Sequence, residues 1–200
     1  MEYVDWDQCF IYQCFMNIIL GSNSPRRKEL LAALGFEFNT LNPDINESFS
    51  DEIPVEKVAE YLAEQKANAL ENQLQKDDLL ICSDTVVIIN NEILGKPTDE
   101  QNAFEILRQL SGNTHKVITG VALKSLEKSN VFSVETTVSF TDLNDEQIRF
   151  YIENFQPFDK AGSYGIQDWI GLIGVKKIEG SYTNVMGLPT CELYEAIMNF

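Results

Sequence analysis

The order of strands and helices along the chain constrains its fold most strongly. Residues 16–20 (MNIIL) have the unbroken apolar pattern of a buried strand. A helix is predicted next. Ser24 suits its N-cap and Pro25 suits its first position, and Gly35 suits the residue that follows its last turn. Strands and helices alternate at first, and two β-rich stretches then follow that we expect to pair. This order predicts an α/β fold with a mixed sheet.

The rest of the chain offers further local signals. The segment LLICSDTVVIINNEILGKP predicts a strand, a polar interruption and then a hairpin that turns at Asn90 and Asn91. Thr98 and Gln101 fit a capping box before a helix, and Asn144 fits a later N-cap. The segment GLIGVKKI predicts another strand, and LPTCELYEAIMNF predicts a closing helix.

The charge balance excludes some classes of partner. The chain has 15 Lys and Arg against 31 Asp and Glu, a formal net charge of −16. Such a surface repels nucleic acid and anionic membranes, so neither is an expected partner. A protein of this charge that binds a polyphosphate needs local cations, a metal ion or both. No apolar run reaches the roughly 18 residues of a membrane span, and four cysteines without a CxxC pair favour a reducing, cytoplasmic compartment.

The first 15 residues differ from the rest of the chain. They contain three acidic residues, no basic residue and a short aromatic patch, which does not fit a secretory signal. We interpret residues 1–15 as an N-terminal extension that is not native, with Met16 as the natural start. Residues 16–200 then form one domain.

The start of the first predicted helix is a candidate anion site. A helix N-terminus presents free N–H groups and a partial positive charge. Ser22, Ser24, Arg26 and Arg27 would add hydroxyl and guanidinium donors, a combination suited to phosphate. The pattern is not a Walker P-loop. The alternative is a basic first turn that is only solvated.

Several polar residues elsewhere could complete a site. Asp84 and Thr85 interrupt an apolar run, where a carboxylate needs a partner or a metal ion, although a turn or a cap would also explain them. Asp44 and Glu47 lie in a loop that could simply be acidic, and either could join Asp84 around a hard cation. Lys96 and Lys160 lie in glycine-containing loops from which an ammonium group could reach phosphate, or remain exposed.

Two further side chains have different expected roles. Gln167 carries an amide that can both donate to and accept from a base edge, as uracil or thymine requires. His115 cannot build a histidine metal site alone, because it is the single histidine of the chain. We expect it to be a structural, hydrogen-bonding residue.

Together these segments resemble the Maf family of nucleoside triphosphate pyrophosphatases. The resemblance runs from Asn17 to Phe200 and rests on SNSPRRKELL, YLAEQKA, SDTVV, LGKP, LRQLSGNTHKVITG, DKAGSYGIQ and VMGLP in the family's order. It implies a curved mixed sheet with flanking helices that form two lobes around a cleft, similar to inosine triphosphate pyrophosphatases. After Gln167 the family usually has glycine, whereas this chain has Asp168 and Trp169.

The resemblance also implies a reaction and residue roles. The reaction is hydrolysis of a nucleoside triphosphate to the monophosphate and pyrophosphate with Mg²⁺ or Mn²⁺, and the subgroup is the one that acts on dTTP and UTP. Asp84 matches the general base, and Arg26, Thr85 and Gln167 match positions tied to substrate choice. Glu47 and Asp84 would hold the metal ion. Phosphate would be bound by Ser22, Ser24, Arg27, Lys66, Lys96 and Lys160.

Some alternatives stay open at this point. Asp84 could act as the base or as a metal ligand. The substrate could instead be 7-methyl-GTP or another modified nucleotide. The chain could also be a nucleotide-binding regulator of cell division with little turnover. Family members commonly dimerise, which implies a homodimer.

Overall fold

A computed structural model describes residues 16–200, so the predicted N-terminal extension lies outside the described residues. The described strands are β1 (Asn17–Gly21), β2 (Phe38–Leu41), β3 (Asp78–Ile89), β4 (Glu92–Leu94), β5 (Thr114–Lys124), β6 (Ser129–Phe140) and β7 (Val175–Glu179). They form one sheet in the order β2-β1-β3-β5-β6-β7, with β4 also paired to β3. Strand β1 is parallel to β2 and β3, and the other pairs are antiparallel. The prediction of a mixed sheet is confirmed.

Helices cover both faces of this sheet. They are α1 (Pro25–Ala33), α2 (Val58–Leu70), α3 (Glu100–Leu110), α4 (Asp145–Phe155), α5 (Trp169–Gly174), α6 (Tyr182–Met186) and α7 (Thr190–Met198). On one face α2 buries Ala63 and Ala67 against Leu80 and Cys82 of β3. The other face packs against α1 and α7 at one end and against α3 and α4 at the other. Among residues 16–200, no helix has the length and hydropathy that crossing a membrane requires.

Several local predictions are confirmed. The Ser24 side chain accepts a hydrogen bond from the backbone N–H of Arg27, and Gly35 has a φ of +86° just after the end of α1. The β3–β4 hairpin turns at Asn90 and Asn91, with φ values of +51° and +65°. Positive φ at both central residues is what a type I′ turn requires, and asparagine tolerates it better than most residues.

The predicted polar interruption after Cys82 is wrong, because β3 continues unbroken to Ile89. Strand β5 pairs with it residue by residue from Leu80 to Ile88, so the backbone hydrogen bonds of the polar stretch are satisfied. The side chains also find partners. Lys66 donates to Asp84, and the Thr85 and Thr119 hydroxyls lie 2.9 Å apart.

Two other boundaries differ from the prediction. Asp99, not Thr98, caps α3, because its carboxylate accepts the N–H of Asn102 at 2.8 Å. The segment GLIGVKKI is only partly a strand, since its first four residues complete α5 and β7 begins at Val175. Gly171 allows this, because a Cβ atom there would lie 1.9 Å from the carbonyl oxygen of Ile166.

The pairing of β3 leaves one stretch of its edge open. Strand β1 ends at Gly21, opposite Cys82, and β4 joins the same edge only at Val87. Asp84 and Thr85 lie in the gap between these neighbours. Because side chains alternate along a strand, Asp84 faces α2 and Thr85 faces α1 on the other side of the sheet. No neighbouring strand of the described structure covers this edge, so both side chains can line the same cleft beside it.

A close approach of α2 to the sheet depends on Gly120. This residue pairs with Asp84, and a Cβ atom on it would lie 2.2 Å from the carbonyl oxygen of Ala59. We expect Gly120→Ala to lower the free energy of unfolding by about 1–3 kcal/mol, because backbone must move to relieve the overlap. Urea unfolding measures the change. Gly174→Ala is the control, since its Cβ would make an ordinary contact at 3.5 Å. Equal loss in both variants would contradict the prediction.

Candidate active site

A cleft of about 650 Å³ opens beside the exposed stretch of β3. Of the candidate residues predicted from the sequence, Asp44 does not line this cleft, whereas eleven do: Ser22, Ser24, Arg26, Arg27, Glu47, Lys66, Asp84, Thr85, Lys96, Lys160 and Gln167. They come from the β1–α1 turn, the acidic loop, α2, β3 and two later loops, and the fold brings them to one place. Asp168 and Trp169, which depart from the expected pattern, are not among the described residues that line it.

The N-terminus of α1 forms one wall of the cleft. Ser22 Oγ accepts the backbone N–H of Ser24 at 3.2 Å, and no acidic residue lies in the first turn. Nothing in this turn therefore offsets the positive end of the helix dipole. Arg26 extends from this turn and remains partly exposed. The geometry is that of an anion site.

Lys66 joins the two carboxylates that were predicted to hold a metal ion. Its Nζ lies 2.5 Å from Asp84 Oδ1 and 2.6 Å from Glu47 Oε1. The Lys66 and Asp84 side chains are largely buried, whereas the Glu47 side chain is 43% exposed. Burial alone would raise the pKa of Glu47, but the hydrogen bonds and charges of Lys66 and Lys96 together outweigh it and lower that pKa. One point in the cleft thus has a cation held between two acids.

Three further cations of the cleft, Arg26, Lys96 and Lys160, are paired with carboxylates as well. Asp159 contacts Arg26 at 2.9 Å and Lys160 at 2.8 Å, and Lys96 lies 3.4 Å from Glu47. Asp159 is not among the residues predicted from the sequence. Its position directly before Lys160 was the available signal, but its contact with Arg26 spans 133 residues of sequence. Each of these cations therefore has a carboxylate partner that competes with any anion that enters.

Arg27 differs from these cations because protein acceptors occupy its guanidinium group. It donates to the carbonyl oxygens of Ser83 and Gly187 at 2.7 and 2.9 Å, and to Thr85 Oγ1 at 3.1 Å. Burial lowers the pKa of this guanidinium, and the nearby Asp84 opposes that effect. The contacts tie α1 to β3 and fix the Thr85 hydroxyl on the cleft wall.

His115 lies behind the cleft wall, as a structural residue would. Its Nε2 lies 2.8 Å from the hydroxyl of Tyr164, a residue that lines the cleft, and its ring packs edge-on against Phe140 and Tyr164. The imidazole is buried, and burial lowers its pKa from 6.5 to about 4. The described contacts place it beneath the site rather than in it.

The buried imidazole predicts a pH dependence of stability. The unfolded chain takes up this proton near pH 6.5, whereas the folded protein takes it up only near pH 4. The free energy of unfolding should therefore be fully retained above pH 6.5 and fall between pH 6.5 and about 4, by up to roughly 3 kcal/mol. Urea unfolding across this window measures it. His115→Gln should lose this part of the slope, and an unchanged slope would contradict the assignment.

Sequence comparisons identify a family and several relatives that are similar to this chain. Residues 17–200 match the family described as Maf-like protein. A protein of Phocaeicola vulgatus named dTTP/UTP pyrophosphatase is 51% identical over 179 residues, which are 88% of this chain and 92% of that protein. A protein of Flavobacterium psychrophilum with the same name is 47% identical over 182 residues, covering 91% and 93% of the two chains.

Solved structures are similar in fold. The Ham1 protein of Staphylococcus aureus matches with a TM-score of 0.51 at 15% identity, covering 90% of this chain and 99% of that chain. A HAM1 protein from Coxiella burnetii matches with a TM-score of 0.51 at 13% identity, covering 92% and 100%. These similarities support the mixed α/β architecture.

Proposed function

The chain belongs to the Maf family, and we propose that it is a nucleoside triphosphate pyrophosphatase that hydrolyses dTTP and UTP to the monophosphate and pyrophosphate. One observation carries the proposal. A helix N-terminus with cations, a buried carboxylate and a free amide meet in a single cleft large enough for a nucleotide. The names of relatives that are about half identical over most of the chain support the choice of dTTP and UTP.

The triphosphate is proposed to bind along the cationic walls. Its oxygens would accept hydrogen bonds from the α1 N-terminus, Ser22, Ser24 and Arg26 on one side and from lysines on the other. Lys66 and Lys160 are largely buried and already held by carboxylates, so little side-chain entropy remains to be lost when they turn to phosphate. Lys96 is more exposed. Arg27 would act mainly by holding α1 against β3.

Asp84 is proposed to act on the attacking water. The water would attack phosphorus at the α–β linkage, with pyrophosphate as the leaving group. Asp84 would orient or deprotonate this water, and its contact with Lys66 fixes the carboxylate at the open edge of β3. Lys66 would then be near enough to stabilise charge that develops on phosphate oxygens.

The described residues fit a divalent metal ion that also binds substrate. Glu47 and Asp84 each direct an oxygen at one cation position, now taken by Lys66 Nζ. No group of three or more His, Cys, Asp or Glu within residues 16–200 could hold a metal ion alone. Mg²⁺ at phosphate sites typically takes one or two carboxylates, with water and phosphate oxygens completing its shell. When bound, the ion would neutralise negative charge on the phosphates.

A substrate panel tests this proposal. Pyrophosphate release is measured from canonical and modified nucleoside triphosphates, 7-methyl-GTP included, with Mg²⁺, with Mn²⁺ and without metal. The expected result is metal-dependent release that is fastest with dTTP and UTP. Release with only purine or modified substrates would keep the reaction and overturn the base assignment. Nucleotide binding without release from any substrate would overturn the enzymatic proposal in favour of a binding regulator.

We also propose a reducing, cytoplasmic location and a homodimer. Cys82 and Cys191 are free thiols in the described structure, which fits a reducing compartment. Light scattering of the purified protein tests the dimer. A single species of 22.7 kDa would contradict it.

A further inference from the structure

Gln167 lies at the centre of a tight turn. The backbone N–H of Asp168 donates to the carbonyl oxygen of Gly165 at 3.0 Å, so Ile166 and Gln167 are the two central residues. The Gln167 side chain is exposed in the cleft and makes no hydrogen bond to any residue from 16 to 200. Its amide is therefore free for a ligand, and its direction depends on the turn that carries it.

One buried phenol forms hydrogen bonds with both ends of this turn. The hydroxyl of Tyr151, on α4, accepts the backbone N–H of Gly165 at 3.0 Å and donates to Asp168 Oδ2 at 2.7 Å. Tyr151 is completely buried. Burial, and next the hydrogen bond to Asp168, raise the pKa of this phenol well above its ordinary value, so the hydroxyl keeps its proton.

The turn is built around this contact. A Cβ atom at Gly165 would lie 2.4 Å from Asp168 Oδ2, so only glycine leaves room for the carboxylate beneath the turn. Asp168 Oδ2 also lies 3.8 Å from Lys160 Nζ, within the range of an ion pair. The Asp168 carboxylate thus supports the turn and also faces Lys160, which is proposed to bind phosphate.

We propose that Tyr151 and Asp168 are positioning residues that hold Gln167 for recognition of the pyrimidine base and so determine base selectivity. This inference rests on the proposed function. A turn that is already fixed before binding loses no further conformational entropy when its amide meets a base, whereas a loose turn would. An amide held in one direction can also form hydrogen bonds with fewer kinds of base edge. Bases other than the pyrimidine it fits are therefore rejected more strongly.

The test compares UTP with CTP, because these substrates differ only at the base. Tyr151→Phe removes the hydroxyl and keeps the ring. Both hydrogen bonds of the hydroxyl are lost, so the turn that carries Gln167 loosens. We expect the ratio of kcat/KM for UTP over CTP to fall roughly three- to tenfold, the effect of about one hydrogen bond between Gln167 and the base. The fall should come from a higher KM for UTP, with kcat within about a factor of two. Tyr182→Phe, at an exposed tyrosine, is the control and should leave the ratio unchanged.

Variants of Asp168 separate positioning from general stability. Asp168→Ala should lower the ratio as Tyr151→Phe does, whereas Asp168→Asn keeps an acceptor for the phenol and should restore most of it. The double variant Tyr151→Phe, Asp168→Ala should lose no more than Tyr151→Phe alone, because removal of the phenol hydroxyl already breaks its contact with Asp168. Thermal unfolding of each variant verifies that it folds. If Tyr151→Phe does not fold, the Asp168 pair decides the question.

The outcomes distinguish this inference from the proposed function. An unchanged ratio in folded Tyr151→Phe or Asp168→Ala overturns the inference, and so do fully additive losses. A wild-type enzyme that hydrolyses UTP and CTP equally overturns the inference and leaves the pyrophosphatase in place. If the wild type binds UTP selectively without turnover, the proposed function fails. The ratio of dissociation constants, measured by calorimetry, then decides this inference by the same criteria.

Discussion

Asp84→Asn is expected to lower kcat for pyrophosphate release by about 10²–10⁴-fold. Asparagine has nearly the same shape but cannot accept a proton and carries no charge to hold a metal ion. The fold should survive, because Lys66 keeps its contact with Glu47 and the β3–β5 backbone pairing is unaffected. Steady-state release from UTP at saturating metal measures the change, and circular dichroism verifies the fold.

A matched control lies on the same strand. Asp78 is also buried in β3, where its carboxylate accepts the backbone N–H of Gln75 at 2.8 Å, but it does not line the cleft. Asp78→Asn should keep kcat near the wild-type value. If Asp84→Asn also keeps near-normal kcat, Asp84 has no part in the chemistry. If both variants lose activity equally, the loss reflects the strand and not the site.

Lys66→Met is expected to lower kcat by about 10²–10³-fold, the loss typical of one preorganised electrostatic group. The thioether fills most of the space of the lysine stem but leaves Asp84 and Glu47 without the cation between them. Whatever metal ion the two acids hold, the phosphate oxygens lose a positively charged donor at this point. Pyrophosphate release at saturating UTP measures the effect.

Lys57→Met is the control for this variant. Lys57 directly precedes α2 and forms an exposed pair with Glu60. Exposed pairs of this kind contribute little, so activity and stability should stay close to the wild type. A Lys66→Met enzyme with unchanged kcat would show that Lys66 only balances charge in the free cleft.

Local parts of the fold could be predicted because their signals are local. The cap at Ser24, the end of α1 at Gly35 and the turn at Asn90 and Asn91 each depend on the backbone preference of one or two residues. The continuity of β3 could not be predicted in this way. It depends on β5, whose pairing with Asp84 and its neighbours satisfies a polar stretch that looks like a break in the sequence.

The same distinction applies to the candidate site. The sequence identified residues that the structure brings together in one cleft, because unusual polar residues in apolar or glycine-rich surroundings are visible without a fold. It did not reveal the pairing of Asp159 with Arg26, or the contact of Tyr151 with Asp168. These pairs are made by side chains from different elements, so only the folded chain brings them within reach. The family resemblance supplied Lys66, which no local feature distinguished.

The mutual pairing of cleft cations and carboxylates also has a kinetic consequence. A basic cleft in an acidic protein ordinarily attracts anions from a distance and raises their association rate. Here Asp159 and Glu47 cancel much of that local field, while the whole chain carries a net charge of −16. An approaching nucleotide anion therefore meets the net repulsion of the whole chain at a distance, and only a weakened attraction near the cleft. Salt screens that repulsion beyond about 10 Å, so moderate ionic strength should speed the encounter rather than slow it.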